Sequence, residues 1–302
     1  MTTEPVFEQR FRAMGSPCAL RLHGASRAPL QAAAAAICDD VARLEARYSR
    51  YRDDSLLSAI NAVAKTGGRI EVDVETAQLL DYAATCHRES NGLFDVTAGV
   101  LRAVWRFDRG ELPAAAEVAA VLSRVGWSRL RWRAPWLEFP EPGLELDFGG
   151  IVKEYAVDRA ATIAVEYGVT QGLVNLGGDL RVIGARPDGA PWRVAIAHPR
   201  RRDAALMTLS LTHGAVATSG DYERCLVVDG VRYGHVLSPR TGWPVKRLAA
   251  VTVVADFCLV AGSASTIAML KEDEGPAWLA ALGLPHLWVD TEGRIGGDLA
   301  AG

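Results

Sequence analysis

The segment ATSGDYERCLVVDGVRYGHVLSPRTGWPV, residues 217–245, gathers the side chains best suited to chemistry. It holds one histidine, His235, among hydroxyls, acids and arginines. Asp229-Gly230 separates two alternating apolar runs, which predicts a tight hairpin turn. Because hairpin arms run antiparallel, the polar residues at both ends should meet on one side of a sheet. A neutral histidine there can act as a general base, although a purely structural histidine is also compatible with the pattern.

The segment LDFGGIVKEYAVDRAA, residues 146–161, predicts a strand ending at Asp147, two glycines and then an amphipathic helix. Gly149 and Gly150 would leave N–H groups bare at the positive end of the helix dipole, which suits a phosphate. Lys153, in the first turn, would pair with the same anion. The alternative is that the glycines only let strand and helix pack closely, with Lys153 in solvent. The spacing matches neither common nucleotide-binding fingerprint.

Three further segments place polar residues where a core would be apolar. VNLGGDL (174–180) is a strand running into a glycine pair and an acid, which fits either a second anion-binding loop or an ordinary hairpin. YSRYRDDSLLSAIN (48–61) puts Tyr51 in a loop before a helix, as a flavin or adenine contact or as part of a charged surface. FDVTAGVL (94–101) places Asp95 at a helix start, where side-chain capping is the default explanation.

The composition is that of a folded protein without a general attraction to polyanions. Of the 302 residues, 49% are hydrophobic and 23% charged, and the formal net charge is -3. Nucleic acid is therefore not an expected partner. The five cysteines lack CxxC spacing and are expected to be reduced thiols. Without HExxH, paired histidines or a cysteine cluster, a transition-metal site is not expected, but a hard cation held by oxygen atoms remains open.

The N-terminal sequence predicts location. Residues 1–24 carry acids before their apolar residues and no apolar run of signal-peptide length, so the chain as written is expected to be cytoplasmic. Export is the alternative if the true start lies upstream of Met1. No segment approaches the length of uncharged apolar sequence that a bilayer requires, so no membrane span is expected.

Periodicity predicts an α+β fold. Helical spacing dominates the first half, and short β-rich runs dominate from Trp127 onwards, so mixed or antiparallel sheets with packed helices are expected. A single domain over residues 1–302, organised as one body or as two intimately joined lobes, fits this length. The predicted helices are 29–50, 53–63, 75–90, one within 113–126, one after Gly150 and one after Ala261.

In order along the chain, seven segments resemble those of one family, the FAD:protein FMN transferases of the ApbE type. These enzymes move FMN from FAD onto a Ser or Thr of a partner protein. No single segment identifies the family, but the occurrence of all seven in the same order over nearly the whole chain does. The last one resembles the family signature H-[IV]-[IL]-D-P-[RK]-T-G-x-P. The seven segments are AMGSPCAL, YSRYRDDSLLSAIN, FDVTAGVL, LDFGGIVKEYAVDRAA, LVNLGGDLRVIG, ATSGDYE and GHVLSPRTGWPV.

The resemblance implies an ApbE-like fold, FAD as donor substrate, a divalent metal that is usually magnesium, and an acceptor protein carrying a Ser or Thr hydroxyl. His235 would take the proton from that hydroxyl, which attacks the FMN phosphorus as AMP leaves. The metal would be held by the backbone carbonyl of Gly150 and by Thr266. The residues implied to contact FAD are Met14, Tyr51, Phe94, Asp95, Val96, Asp147, Lys153, His235 and Val236.

One departure from the family falls on the metal site. Residues 260–269, VAGSASTIAM, predict the start of a helix made of small residues, where a helix or a ligand could approach closely. The family motif A-D-[AG]-x-[AS]-T corresponds to Ala261–Thr266, so Gly262 replaces a metal-binding aspartate. Loss of that unit charge is expected to weaken magnesium binding by about 1 to 4 kcal/mol.

Two other positions also differ from the family pattern. Glu154 stands where the family usually has glycine, and Ser238 replaces the aspartate of the histidine signature. Two alternatives to transferase activity therefore stay open. One is a flavin-binding protein with weak or no transferase activity, because the acid at Gly262 is missing. The other is an FAD pyrophosphatase, in which water replaces the acceptor hydroxyl.

Overall fold

The computed structural model describes residues 5–108 and 110–301, so the first four residues of the N-terminal stretch lie outside the described part. The helices are α1 Arg27–Tyr48, α2 Leu56–Thr66, α3 Val74–Glu89, α4 Ala115–Leu122, α5 Val152–Glu166, α6 Cys258–Lys271 and α7 Gly275–Ala281. The strands are β1 Val6–Ala13, β2 Ser16–His23, β3 Gly68–Glu71, β4 Arg131–Arg133, β5 Trp136–Phe139, β6 Gln171–Leu176, β7 Asp179–Ile183, β8 Trp192–His198, β9 Arg201–Leu211, β10 Gly214–Gly220, β11 Cys225–Val228, β12 Val231–Gly234, β13 Leu248–Ala255, β14 His286–Asp290 and β15 Ile295–Gly296.

An eight-stranded sheet forms the centre, in the order β1-β2-β6-β7-β10-β13-β14-β15. Every neighbouring pair in it is antiparallel. The α+β prediction is therefore confirmed, and the sheet takes the antiparallel form. The β1–β2 turn uses Met14 at φ 51° and Gly15 at φ 73°, the left-handed pair that a two-residue hairpin requires.

The central sheet is covered on both faces. Helices α1, α5 and α6 pack together on one face, and the β8–β9 hairpin covers part of the other. Strand β10 shows the alternation that this layering demands, because Ala215 and Ala217 join the helical core while Val216 joins the cluster under β8–β9. Across residues 5–108 and 110–301, no helix combines the length and apolar character needed to cross a membrane.

Most local signals for turns and helix ends are confirmed. Asp229 and Gly230 adopt φ 51° and 76° in the turn between β11 and β12, as predicted. Helix α3 ends at Glu89, close to its predicted end, and Asn91 and Gly92 follow with positive φ; Ser55 caps α2 by accepting a hydrogen bond from Ser58 N. The five cysteines are free thiols. These signals are reliable because turns and caps are decided by a few adjacent residues.

Two predicted elements are wrong in detail. The predicted strand ending at Asp147 does not form, since residues 144–148 join no strand ladder. At Leu146 the side chain of Asn61 takes the place of a neighbouring strand. Its Oδ1 accepts from Leu146 N at 2.7 Å, and its Nδ2 donates to Leu146 O at 3.0 Å. Helix α6 starts at Cys258 rather than after Ala261, so the small-residue run forms the interior of that helix.

The early start of α6 has a tertiary cause, a carboxylate from the neighbouring helix. Asp158 on α5 accepts hydrogen bonds from Cys258 N and Leu259 N, both at 2.9 Å, and it also pairs with Arg181. Cysteine and leucine at a helix start give no capping signal of their own. This contact fixes where α6 begins and how it lies against α5.

Replacing Asp158 with alanine should lower the free energy of unfolding by about 2 kcal/mol, because two helix N–H groups and Arg181 lose their partner. Chemical denaturation monitored by circular dichroism measures the difference. Glu141→Ala, which breaks an exposed ion pair with Arg129, is the matched control and should cost at most about 1 kcal/mol. Equal losses for the two variants would contradict the capping role.

Candidate active-site cleft

His235 lies at the base of the β11–β12 hairpin. Cys225 pairs with Gly234 in that ladder, so the next residues along the two arms, Arg224 and His235, stand opposite each other. The backbone of Arg224 lies within hydrogen-bonding reach of the His235 ring. Solvent reaches the histidine. The hairpin predicted from the Asp229-Gly230 turn therefore determines which backbone group orients the ring.

The imidazole of His235 is neutral at physiological pH. Desolvation by the surrounding protein, together with the positive charges of Arg224, Lys153 and Arg50, lowers its pKa to about 4. A neutral imidazole has one N–H donor and one free lone pair. Whichever ring nitrogen carries the hydrogen, the other one offers a lone pair that can accept a proton.

Two arginines and a tyrosine form one side of the cleft. The hydroxyl of Tyr51 accepts from Arg50 at 3.0 Å and from Arg224 at 3.3 Å. The Arg50 guanidinium also lies 5.1 Å from the centre of the Tyr51 ring. The turn after β1 adjoins this group, since a Cβ on Gly15 would lie 3.6 Å from Arg224 Nη2. Tyr51, with 69% of its surface exposed, presents an aromatic ring beside two cations, Arg50 and Arg224.

Two carboxylates expected at the flavin site are engaged with the protein. Asp147 pairs with Arg50 and accepts from Gly149 N at 2.9 Å, so that glycine N–H is not bare. Asp95 caps the 3-10 helix Val96–Ala103, as predicted, and its two oxygens accept from Thr97 N and Trp127 N. Any contact between a ligand and the 94–96 turn would therefore come through the backbone.

Two other predicted contact residues are buried around this turn. The Phe94 ring lies 3.4 Å from where a Cβ of Gly150 would be, so the turn and the start of α5 touch. Val96 packs into the core. Val236 is also largely buried, and its carbonyl accepts from Val245 N. Ser238, in place of the signature aspartate, keeps a polar turn, because its Oγ accepts from Arg240 N at 3.3 Å.

Lys153 is held inside the cleft rather than in solvent. Its Nζ lies 2.7 Å from Asp179 Oδ2, and the other oxygen of Asp179 accepts from Thr218 N at 3.1 Å. Burial lowers the pKa of Lys153, but the charges of Asp179 and Glu154 outweigh that effect and raise it, so the ammonium stays charged. The VNLGGDL segment is the β6–β7 hairpin, and its Gly177 approaches the Lys153 stem.

Helix α6 forms the remaining wall. Ser219 at the end of β10 makes hydroxyl contacts of 2.8 Å with both Ser265 and Thr266. One turn earlier, Gly262 faces Glu154 of α5. A Cβ on Gly262 would lie only 2.3 Å from Glu154 Cγ, so the small residue there makes room for this side chain. Burial raises the pKa of Glu154, Lys153 opposes that shift and Asp179 adds to it.

The structure brings most of the predicted residues to one cleft through partners that sequence reasoning did not assign to the site. The sequence could have indicated Arg50 and Asp179 as site residues, since Arg50 precedes Tyr51 and Asp179 follows the second glycine pair. No sequence pattern indicated Arg224, because only the register of the hairpin places it opposite His235. Within residues 5–108 and 110–301, no group of three or more His, Cys, Asp and Glu side chains is placed to hold a metal ion.

The fold and the site define an α+β protein with a neutral histidine beside a cluster of three cations, Arg50, Lys153 and Arg224. The family model for the ApbE family matches residues 14–288. The chain therefore belongs to the ApbE family, and the resemblance drawn from its motifs is confirmed.

Individual relatives agree with this assignment. The chain is 32% identical over 251 residues to the FAD:protein FMN transferase of Vibrio cholerae, covering 80% of this chain and 75% of that protein. It is 28% identical to the enzyme of the same name from Rhodobacter capsulatus, covering 93% of this chain but only 54% of that one. Among solved structures, the ApbE protein of Thermotoga maritima superposes with a TM-score of 0.90 at 31% identity, covering 98% of each chain. The apo flavinyl transferase ApbE of Pseudomonas stutzeri gives 0.85 at 31% identity, covering 97% of this chain and 93% of that one.

Replacing Arg224 with glutamine should raise the pKa of His235 from about 4 towards its ordinary value of about 6.5, because a nearby positive charge is removed. NMR titration of the labelled imidazole measures the shift. Arg232→Gln, on the same hairpin, is the control and should leave the pKa unchanged. A native pKa already near 6.5 would contradict the electrostatic description of the cleft.

Proposed function

We propose that this chain transfers FMN from FAD to a Ser or Thr hydroxyl of an acceptor protein and releases AMP, acting as one ApbE-like domain over residues 1–302. Membership of the ApbE family and the fold shared with flavinyl transferases support the class of reaction. The observation that carries the proposal is the cleft itself. A neutral histidine with a free ring nitrogen stands among Arg50, Lys153 and Arg224.

The three cations suit the pyrophosphate of FAD. Transfer of a phosphorus centre depends mainly on positioning and on neutralising charge around the phosphates. The exposed ring of Tyr51 would offer a face for an aromatic part of the dinucleotide. Met14 and the 94–96 turn border the same region. Lys153 is partly exposed, and its ion pair with Asp179 holds it in position.

His235 would act on the acceptor. As the acceptor oxygen forms its bond to the FMN phosphorus, the bond between that phosphorus and the AMP oxygen breaks, and the hydroxyl proton passes to the free nitrogen of His235. General-base assistance of this kind contributes about 10²- to 10⁴-fold. Negative charge on bound FAD would raise the pKa of His235 by offsetting the cations, which makes the imidazole a stronger base in the complex.

A divalent metal such as magnesium fits the oxygen donors at the junction of α5 and α6. Thr266 offers a hydroxyl, Gly150 a backbone carbonyl, and Glu154 a buried carboxylate with an oxygen that has no hydrogen-bond partner among the described residues. Such oxygen ligands are those that magnesium prefers. When bound, the metal would neutralise charge on the phosphates.

Acid pH should affect substrate capture and turnover differently. A base works only when unprotonated, so the rate falls as pH drops through its pKa. With a free-enzyme pKa of about 4, kcat/KM should stay flat from pH 8 down to about pH 5. The acid limb of kcat should lie at higher pH, because FAD raises the pKa. Coincident acid limbs near pH 6.5 would contradict this expectation.

Replacing His235 with alanine should lower acceptor labelling by at least about 100-fold while FAD binding persists. The measurement combines the mass increase of a candidate acceptor with AMP release, in the presence of FAD and magnesium. His213→Ala, an exposed histidine away from the cleft, is the matched control.

The same assay separates the competing activities. AMP released without any acceptor would favour the pyrophosphatase, and bound FAD with neither product would favour a flavin-binding protein. Failure to bind FAD at all would overturn the proposal.

A further inference from the structure

Glu154 and Gly262 are the two residues of the metal region that differ from the family pattern. The Glu154 side chain fills the space that a side chain at position 262 would need. Glu154 reaches from α5 onto the surface of α6 at Gly262. A Cβ placed on Gly262 would lie 2.3 Å from Glu154 Cγ, 3.0 Å from Cδ and 3.2 Å from Oε1. An aspartate at position 262 would direct its carboxylate into this same volume. The glutamate and the aspartate are therefore mutually exclusive.

The burial of the Glu154 carboxylate favours a cation beside it. Only 6% of the residue is exposed, and its Oε2 has no hydrogen-bond partner among the described residues. The carboxylate of Asp179 is within hydrogen-bonding reach of its side chain. Lys153 brings one positive charge to these two carboxylates. One buried negative charge is left over, which is costly unless a proton or a metal ion offsets it.

The other oxygen donors lie close in sequence to the residues that Glu154 contacts or neighbours. Thr266 lies four residues after Gly262 and therefore on the same helix face. Ser219 holds the Thr266 hydroxyl in place with a 2.8 Å contact. Gly150 lies just before α5, the helix that carries Glu154. The Glu154 carboxylate, which comes from α5, thus lies over the face of α6 that carries the Thr266 hydroxyl and on which the family's aspartate would stand.

We propose that Glu154 supplies the metal-binding carboxylate that other members of the family carry at position 262. The acid is relocated from α6 to α5, and Gly262 is the small residue that admits it. The proposal rests on the proposed function in that the cation serves the FAD pyrophosphate. It replaces the expectation that metal binding is weakened because position 262 lacks an acid.

The test is direct binding of Mn²⁺, a spectroscopic substitute for magnesium, followed by electron paramagnetic resonance with and without FAD. Glu154→Gln keeps the shape and removes the charge, and it should raise the Kd for Mn²⁺ by at least about tenfold. Glu166→Gln, an exposed acid on the same helix, is the matched control and should leave the Kd unchanged.

An exchange of the two residues gives an independent check. Gly262→Asp alone should not tighten Mn²⁺ binding, because the new side chain collides with Glu154. Glu154→Gly combined with Gly262→Asp should restore an affinity close to that of the original chain. Mn²⁺ binding unaffected by Glu154→Gln, or tightened by Gly262→Asp alone, would overturn the inference.

The outcome is separable from that of the proposed function. FAD binding and acceptor labelling are measured on the unmodified chain. Loss of Mn²⁺ binding in Glu154→Gln without any transfer by the unmodified chain would uphold the metal site and reject the activity. Transfer by the unmodified chain, with Mn²⁺ binding indifferent to Glu154, would do the reverse.

Discussion

The contact between α5 and α6 is the constraint on which the rest of the cleft depends. Asp158 caps α6 from α5, and one turn earlier on α5 Glu154 fills the space that Gly262 leaves open. Because a helix places residues four apart on one face, these two acids face α6 together. This packing sets the distance between the helices, and with it the position of Lys153 relative to Thr266.

The charged residues of the cleft differ in their ion-pair partners. Arg50 and Lys153 each keep a carboxylate partner, Asp147 and Asp179, so their side chains are held in place while remaining positively charged. Among the described residues, His235 forms no ion pair with a carboxylate, and desolvation together with the positive charges of Arg224, Lys153 and Arg50 lowers its pKa. Positive charge around His235 thus favours a nearby anion and, at the same time, contributes to the low pKa of the imidazole.

Prediction from sequence succeeded where neighbours along the chain decide the structure. The Asp229-Gly230 hairpin, the Asn91-Gly92 helix end and the Asp95 cap all depend on one short segment. It failed at residues 144–148, where the side chain of Asn61 completes the backbone hydrogen bonds that a strand would have made. It also misplaced the start of α6, whose cap comes from Asp158, a hundred residues away in sequence.

The sequence by itself determined the family and the α+β class, because the order of the motifs and the local turn chemistry can be recognised without a structure. Tertiary structure alone decided that Arg224 faces His235, since strand register sets that pair. It also decided that the unusual Glu154 and Gly262 are one feature. Glu154 and Gly262 are 108 positions apart, and nothing in the sequence indicates that they touch. Only the packing of α5 against α6 brings the buried Glu154 carboxylate to position 262, where the family has an aspartate.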